Sequence, residues 1–333
     1  MTAGRKGGVS EHLTIRRCRG ERSHPRLGAP ELQATATDSL ALVTRKIVAR
    51  QASLIRRQVA GTLAGRDPEK LHDLRVAARR ARAALRLLGT TLSASQVAGW
   101  RDELRWLGSL SGAVRDLDVF EPRVRRHLQE LQVAAVTQRP LLALLAEDRR
   151  QARDRLAEAL RSERFTRLVA ELRSLPEGVE ADGSEYTADG SARTLAPARI
   201  GRELRRLYRW RRRRIELLTA GELHAIRIAG KRARYALEFF VDILDVDLKS
   251  HIKTFVALQD CLGAHQDAVV ARARLAEAAR RLGGAGAGPE VLDAVQALMR
   301  LEREQAAERR REVVDLGDEL FRLVKRLLHV LSA

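Results

Sequence analysis

The amino-acid sequence predicts an all-α fold made of two similar helical bundles, and three observations carry that expectation. From about Asp38 onward the apolar residues recur with helical periodicity; Leu71, Leu74, Ala78, Ala81, Leu85 and Leu88 form one seam, and no segment alternates as a strand would. Aromatic residues make up 4% of the chain while Ala, Leu and Arg abound, a composition suited to helices packed side by side. Finally, Leu71-His72-Asp73-Leu74-Arg75-Val76-Ala77-Ala78-Arg79-Arg80-Ala81-Arg82 returns 152 residues later as Leu223-His224-Ala225-Ile226-Arg227-Ile228-Ala229-Gly230-Lys231-Arg232-Ala233-Arg234. A second block, Leu107, Gly112, Asp116 and Val119, returns as Leu258, Gly263, Asp267 and Val270 at an offset of 151. Agreement over two separated segments points to an internal repeat with a unit of about 150 residues and a pseudo-symmetric fold.

Each element follows in order. Residues 1–37 read as a basic disordered tail, since the first thirty hold seven Lys or Arg and no apolar periodicity. A first bundle is expected over 38–173, with helices near 38–63, 69–89, 94–111 and 115–134 and further helix across 139–173. Residues 174–198, rich in Gly, Ser, Pro and acid, mark a linker. A second bundle is expected over 199–329, with helices near 198–218, 221–244, 248–263 and 266–282, a turn at Gly283 to Pro289 and a last helix near 290–329.

At 333 residues the chain exceeds the size at which single cores usually divide. Sixty-two Lys and Arg stand against 43 Asp and Glu, a net charge of +19; this excess predicts a polyanionic partner, with a solvated cationic surface as the alternative on charge alone, and the repeat favours the partner. Two cysteines, Cys18 and Cys261, cannot make a disulfide framework and fit a reducing cytoplasm. The opening residues lack a signal-peptide core, and the longest apolar run, Leu141 to Ala146, is far too short to span a membrane, so a soluble intracellular protein is expected.

The repeat also carries the candidate site. Steps of +3, +7 and +10 along a helix stay on one side, so His72, Arg75, Arg79 and Arg82, joined by Arg86, form a stripe that His224, Arg227, Lys231 and Arg234 repeat. Each stripe residue of the first copy follows a seam residue by one position, which places it at the edge of the core; over fourteen steps the stripe extends roughly 21 Å. Arginines on a solvated face would pair with carboxylates three or four residues away. Between His72 and Arg101 the only acid is Asp73, whereas Glu238 can pair with Arg234. Anion binding is therefore the reading for both stripes, with Arg80 and Arg232 beside them. In the preceding helices Arg50 matches Arg202 and Arg57 matches Arg209 at the same offset of 152, and Arg205 to Arg214 holds seven arginines in ten residues.

The two histidines lack a His or Cys at i+3 or i+4 and are flanked by cations, so each reads as a hydrogen-bond donor to an anion and not as a metal ligand. His265 reads as incidental, because Val114 stands in its place in the first copy. Asp116, following Gly112 at an expected helix start, reads as a cap or a support for an arginine of the stripe. Glycine-loop, nucleophile-elbow and magnesium-holding carboxylate motifs are missing, so no catalytic residue, cofactor or metal is assigned.

Together the two histidine segments and the Arg115-Asp116-Leu117-Asp118-Val119 run resemble the CHAD family, the conserved histidine α-helical domain, over about residues 38–328. The resemblance implies two four-helix bundles related by pseudo-twofold symmetry around a basic central pore. It also implies binding of inorganic polyphosphate and association with polyphosphate granules and their proteins. The Glu-x-Glu-x-Lys signature of the triphosphate-tunnel domain often fused to this family is not found, so the chain is expected to be a stand-alone CHAD protein without hydrolytic activity. The second copy departs from the first at Gly230 and at Gln266, which takes the place of Arg115. A nucleic-acid-binding protein is the alternative, with Tyr208 or Trp210 for stacking, although no recognised motif supports it and nucleic acid is expected only as a weak competitor. A metal-dependent phosphatase is a third reading, opposed by the missing carboxylate cluster.

Overall fold

The computed structural model describes residues 33–175 and 190–332, and among them the fold is helical, with a single isolated antiparallel bridge between Ser39 and Ser191. The first half holds α1 (Leu40–Ala64), α2 (Pro68–Leu88), α3 (Ala94–Glu130), α4 (Ala135–Arg161) and α5 (Glu163–Ser174). The second holds α6 (Ala192–Tyr208), α7 (Ala220–Phe240), α8 (Leu248–Gly284) and α9 (Pro289–Val330). Polar side chains start most of them. Ser39, Asp67, Ser162, Ser191 and Asp247 each accept a backbone N–H of the first turn, and Thr219 and Glu222 close a reciprocal capping box on α7.

In the first half α1 packs on α2 and α5, α2 on α3, and α3 on α4. In the second, α6 packs on α7 and α9, α7 on α8, and α8 on α9. The helices match in length as well as in order: α2 and α7 have 21 residues each, and α3 and α8 have 37. The predicted seam is the buried face of α2, with Leu71, Leu74, Ala78, Ala81, Leu85 and Leu88 all at most 4% exposed. Apolar side chains of both halves join in one core, and α2 meets α7 while α4 meets α9 across the middle.

The structure corrects several expected boundaries. The breaks expected at residues 112–114 and 264–265 do not occur, because α3 and α8 run unbroken through them. A helical glycine costs about 1 kcal/mol, less than the packing of Leu107, Val114 and Leu117 on α3 or of Leu258, Leu262 and Ala268 on α8 can supply. Asp116 therefore lies inside a helix and caps nothing. The further helix expected across 139–173 divides at Ser162, and with the two helices expected over 94–134 joined as α3 the first half has five helices, one more than a four-helix bundle, whereas α9 runs unbroken for 42 residues. The helix expected over 198–218 begins earlier, at Ala192, and ends at Tyr208 in two short 3-10 turns. Seven arginines in ten residues place like charges three and four positions apart, which opposes helix there. The helix expected to reach residue 244 ends at Phe240. The expected tail falls outside the described residues up to position 32, as does the expected linker over 176–189.

Buried polar contacts tie the halves together. Glu302 of α9, 1% exposed, pairs with Arg123 of α3 and approaches His127 Nδ1 at 3.3 Å, while Arg123 also donates to Gln305 at 2.8 Å. Burial pushes the Glu302 carboxyl up and, with the charge of Arg123, pulls the His127 imidazole down. At the surface Arg281 donates twice to Asp148, at 2.7 and 2.8 Å, joining α8 to α4. Removing one partner of a buried pair leaves the other charge without compensation, so Glu302→Ala should cost about 3–5 kcal/mol of stability. Denaturant unfolding measures it, and a loss below about 1 kcal/mol would show that water or a neighbour satisfies Arg123 equally well.

Candidate anion-binding site

The row next to the seam of α2, His72, Arg75, Arg79, Arg82 and Arg86, emerges half-buried at the edge of the core. Helix α7 repeats the arrangement: Leu223, Ile226, Gly230, Ala233 and Leu237 are buried, and His224, Arg227, Lys231 and Arg234 lie half-buried beside them. Because α2 packs on α7, the two rows confront one another. Arg79 Nε donates to Tyr235 Oη at 2.7 Å, and the charge of Arg79 bears on Arg75 and Arg82 of its own helix and on Arg227 and Lys231 of the other.

Helix α3 adds a second wall of cations. Arg101, Arg105, Gly108, Gly112 and Arg115 follow one another at spacings of three and four and so share one face. That face meets α2: Arg82 feels Arg105 and Arg101, and Arg75 feels Arg115. The two glycines make room for the guanidinium groups. Arg75 Nη1 donates to the Gly108 carbonyl at 3.3 Å, and a Cβ at Gly112 would stand 2.6 Å from the same nitrogen. Arg101 and Arg105 were missed in the sequence, where the alternation of arginine and glycine along one helical face was the available signal. Arg206 of α6 was also missed; its charge, with those of Arg101 and Arg232, bears on Arg86.

Carboxylates reach this cluster from distant elements. Glu238 pairs with Arg80 of α2 and lies 3.4 Å from Arg234, while Arg80 also stands over the rings of Tyr235 and Phe239. Asp116 lies 3.9 Å from Arg75 and 3.1 Å from Arg274. Glu203, almost fully buried, pairs with Arg206 and lies 3.9 Å from Arg86. At the 152-residue offset Glu238 takes the place that Arg86 holds in the first half.

The cations still outnumber their partners. Among the described residues the buried Nε atoms of Arg101 and Arg227 have no hydrogen-bond acceptor. Desolvation, reinforced by Arg227, Arg79 and Arg234, pulls the Lys231 ammonium from 10.5 down to about 7, with Asp267 opposing. Desolvation with Arg232, Arg206 and Arg101 brings Arg86 to about 10, still cationic at neutral pH. Asp267 is reached by solvent yet crowded by protein, and that crowding pushes its carboxyl up against the pull of Arg227, Arg123 and Lys231. The half-buried cations of α2 and α7 share one surface. Such a surface, cationic and short of acceptors, is suited to holding a multiply charged anion.

A family model described as the CHAD domain matches residues 46–276, more than half of the chain. The chain belongs to the CHAD domain family. Two Mycobacterium tuberculosis proteins, from strains CDC 1551 / Oshkosh and H37Rv and each named as uncharacterized, are 30% identical to it over 232 residues. The match takes in 66% of this chain and 42% of each relative, so the chain aligns with less than half of their length. Among solved structures, the CHAD domain from the plant Ricinus communis is 29% identical, with a TM-score of 0.66, covering 91% of this chain and 97% of that one. PptA from Streptomyces chartreusis shares the fold at 22% identity and a TM-score of 0.65, covering 84% of this chain and 100% of that one.

Within this CHAD fold the sequence-predicted residues separate into two groups. The α2 and α7 stripes, with Arg80 and Arg232, gather at the helix crossing. Arg57, Arg202, Arg205 and Arg209 instead point to solvent, and Arg50 is half-buried on α1 with its Nε unpaired. His224 Nδ1 lies 3.0 Å from the side-chain amide of Gln266, which orients the imidazole. His72 occupies the matching half-buried position on α2. His265 is buried like its counterpart Val114, as an incidental seam residue would be.

The lowered Lys231 gives a signed pH dependence. A base whose folded value is depressed supports stability above its unfolded value of 10.5, and that support is lost as pH falls toward about 7. Lys231→Met should therefore be more stable than the wild type at neutral pH, with the gain fading as pH rises through 10.5. Melting temperatures across pH test this; a constant difference would show that Lys231 is not strained.

Proposed function

We propose that this chain binds inorganic polyphosphate at the α2/α7 crossing and acts as a binding or scaffolding protein at cytoplasmic polyphosphate granules, with granule proteins as further partners. The observation that carries this reading is the confrontation of two cationic rows, Arg75, Arg79, Arg82 and Arg86 against Arg227, Lys231 and Arg234, with too few carboxylates to neutralise them. Membership of a family linked to polyphosphate-related proteins supports it. A polyphosphate is a charged ribbon without bases, matched by guanidinium forks and an ammonium and needing no stacking surface. On this reading the two halves are copies that enclose one basic pore, in keeping with their matched helix lengths.

The reading we propose assigns this chain binding and no catalytic step. Among the described residues no group of three His, Cys, Asp or Glu side chains is arranged to hold a metal ion, and no helix is long and apolar enough to cross a membrane. Nucleic acid is the weaker ligand: the Tyr208 ring is covered by the Arg211 guanidinium at 4.1 Å, and Trp210 packs against the core. Titration with long polyphosphate, single-stranded DNA and duplex DNA decides between them. Polyphosphate should bind most tightly, and its affinity should fall steeply between about 50 and 200 mM salt as counterions reassociate. Salt-indifferent affinity would defeat the electrostatic reading.

Replacing Arg75, Arg79 and Arg227 with alanine should weaken binding while melting temperature holds or rises, since alanine favours helix and cation repulsion is relieved. A triple variant that unfolds would assign these arginines to the fold. Two rows facing one ligand should also make affinity rise with chain length through the effective concentration of the second contact. Calorimetry with tripolyphosphate and long polyphosphate measures this, and removing charge from either row should erase most of the gain. Equal affinity per site for both lengths would leave two independent anion patches.

A further inference from the structure

The cation cluster does not end at the helix crossing. Arg86, the last of the α2 row, bears on Arg206, and two residues beyond Arg206 helix α6 gives way to a tight turn. That turn carries Arg209, Arg211, Arg212, Arg213 and Arg214, all exposed, around the half-buried Trp210. It is held in place by residues other than these arginines. Trp210 and Tyr208 pack on the core, Ile215 is buried, and Arg310 of α9 donates to the carbonyls of Glu216, at 2.6 Å, and Leu218.

Among the described residues the five arginines meet two carboxylates. Arg213 donates to Glu222 at 2.6 Å, Arg214 lies 3.9 Å from Glu216, and Arg211 folds over Tyr208; Arg209 and Arg212 have no side-chain partner among the described residues. A merely solvated surface does not need so many like charges on a turn fixed by aromatic anchors, where their mutual repulsion opposes folding.

We infer that the Arg209–Arg214 turn is a second docking surface, continuous with the helix crossing through Arg206 and Arg86, which takes the length of a polyphosphate chain that extends beyond the crossing. The inference rests on the polyphosphate reading and adds to it a division of labour. The crossing holds a short run of phosphates and the turn holds the overhang. A phosphate ribbon suits the turn better than a single-stranded nucleic acid, because the Arg211 guanidinium lies over the Tyr208 ring and Trp210 is half-buried against the core, which reduces the ring area left for stacking.

The test compares R209Q/R212Q/R214Q with R139Q/R155Q/R161Q, which removes the same charge from exposed positions on α4. For the turn variant, affinity for long polyphosphate should fall about tenfold and the log–log salt slope should become shallower by about 2–3, with tripolyphosphate affinity and melting temperature unchanged. The α4 variant should bind both lengths nearly as the wild type does, and R209K/R212K/R214K should retain long-chain binding. Equal loss for both lengths, equal loss in the α4 variant, unchanged long-chain binding in the turn variant, or single-stranded DNA losing as much affinity as polyphosphate would each overturn the docking surface alone. Long polyphosphate failing to bind the wild type would overturn the proposed function itself.

Discussion

Like charges forced together at the α2/α7 crossing are the constraint to which the surrounding structure responds. Arg79 alone bears on Arg75, Arg82, Arg227 and Lys231, and every one of those groups is also partly desolvated. Leucine and alanine rows directly behind the cations hold α2 and α7 in the core, so apolar burial opposes the repulsion. Carboxylates are placed where they compensate without filling the site: Glu238 behind Arg80 and Arg234, Glu203 beneath Arg206, Asp116 between Arg75 and Arg274. Each satisfies a guanidinium in part and leaves donors over, which on the proposed reading are available to a ligand.

The polar seams between the halves belong to the same logic. The shared apolar core that holds two cation-presenting units together is reinforced by polar contacts elsewhere. The Arg123, Glu302 and His127 cluster and the Arg281 pair with Asp148 clamp the units away from the crossing. The long α3 carries residues of both kinds, since Arg115 and Asp116 lie in the cationic region and Arg123 and His127 in the clamp.

Much of this was legible in the sequence because burial imposes a period. The seam from Leu71 to Leu88 announces a helix, and a row of arginines one position away must then lie at the core's edge. What local reasoning missed depended on tertiary partners. Gly112 and Gly263 look like breaks until the packing of the flanking leucines is known, and Gly112 proves to be space for the Arg75 guanidinium. Arg101 and Arg105 matter because α3 packs on α2, which no local pattern states. The acid facing Arg80 lies 158 residues away, and Arg57, Arg202 and Arg209 obey the repeat yet face solvent, since periodicity between halves does not say which side of a helix is covered.

The exchange of Arg86 for Glu238 at matching positions makes the two halves electrically unequal although their helices correspond. One row ends in a cation that leads toward Arg206 and the arginine turn, while the other ends in a carboxylate shared by Arg80 and Arg234. A linear polyphosphate has identical termini and no head or tail of its own. Seated in such a site it would acquire a polarity imposed by the protein, with one terminus led outward along arginines and the other stopped against an acid.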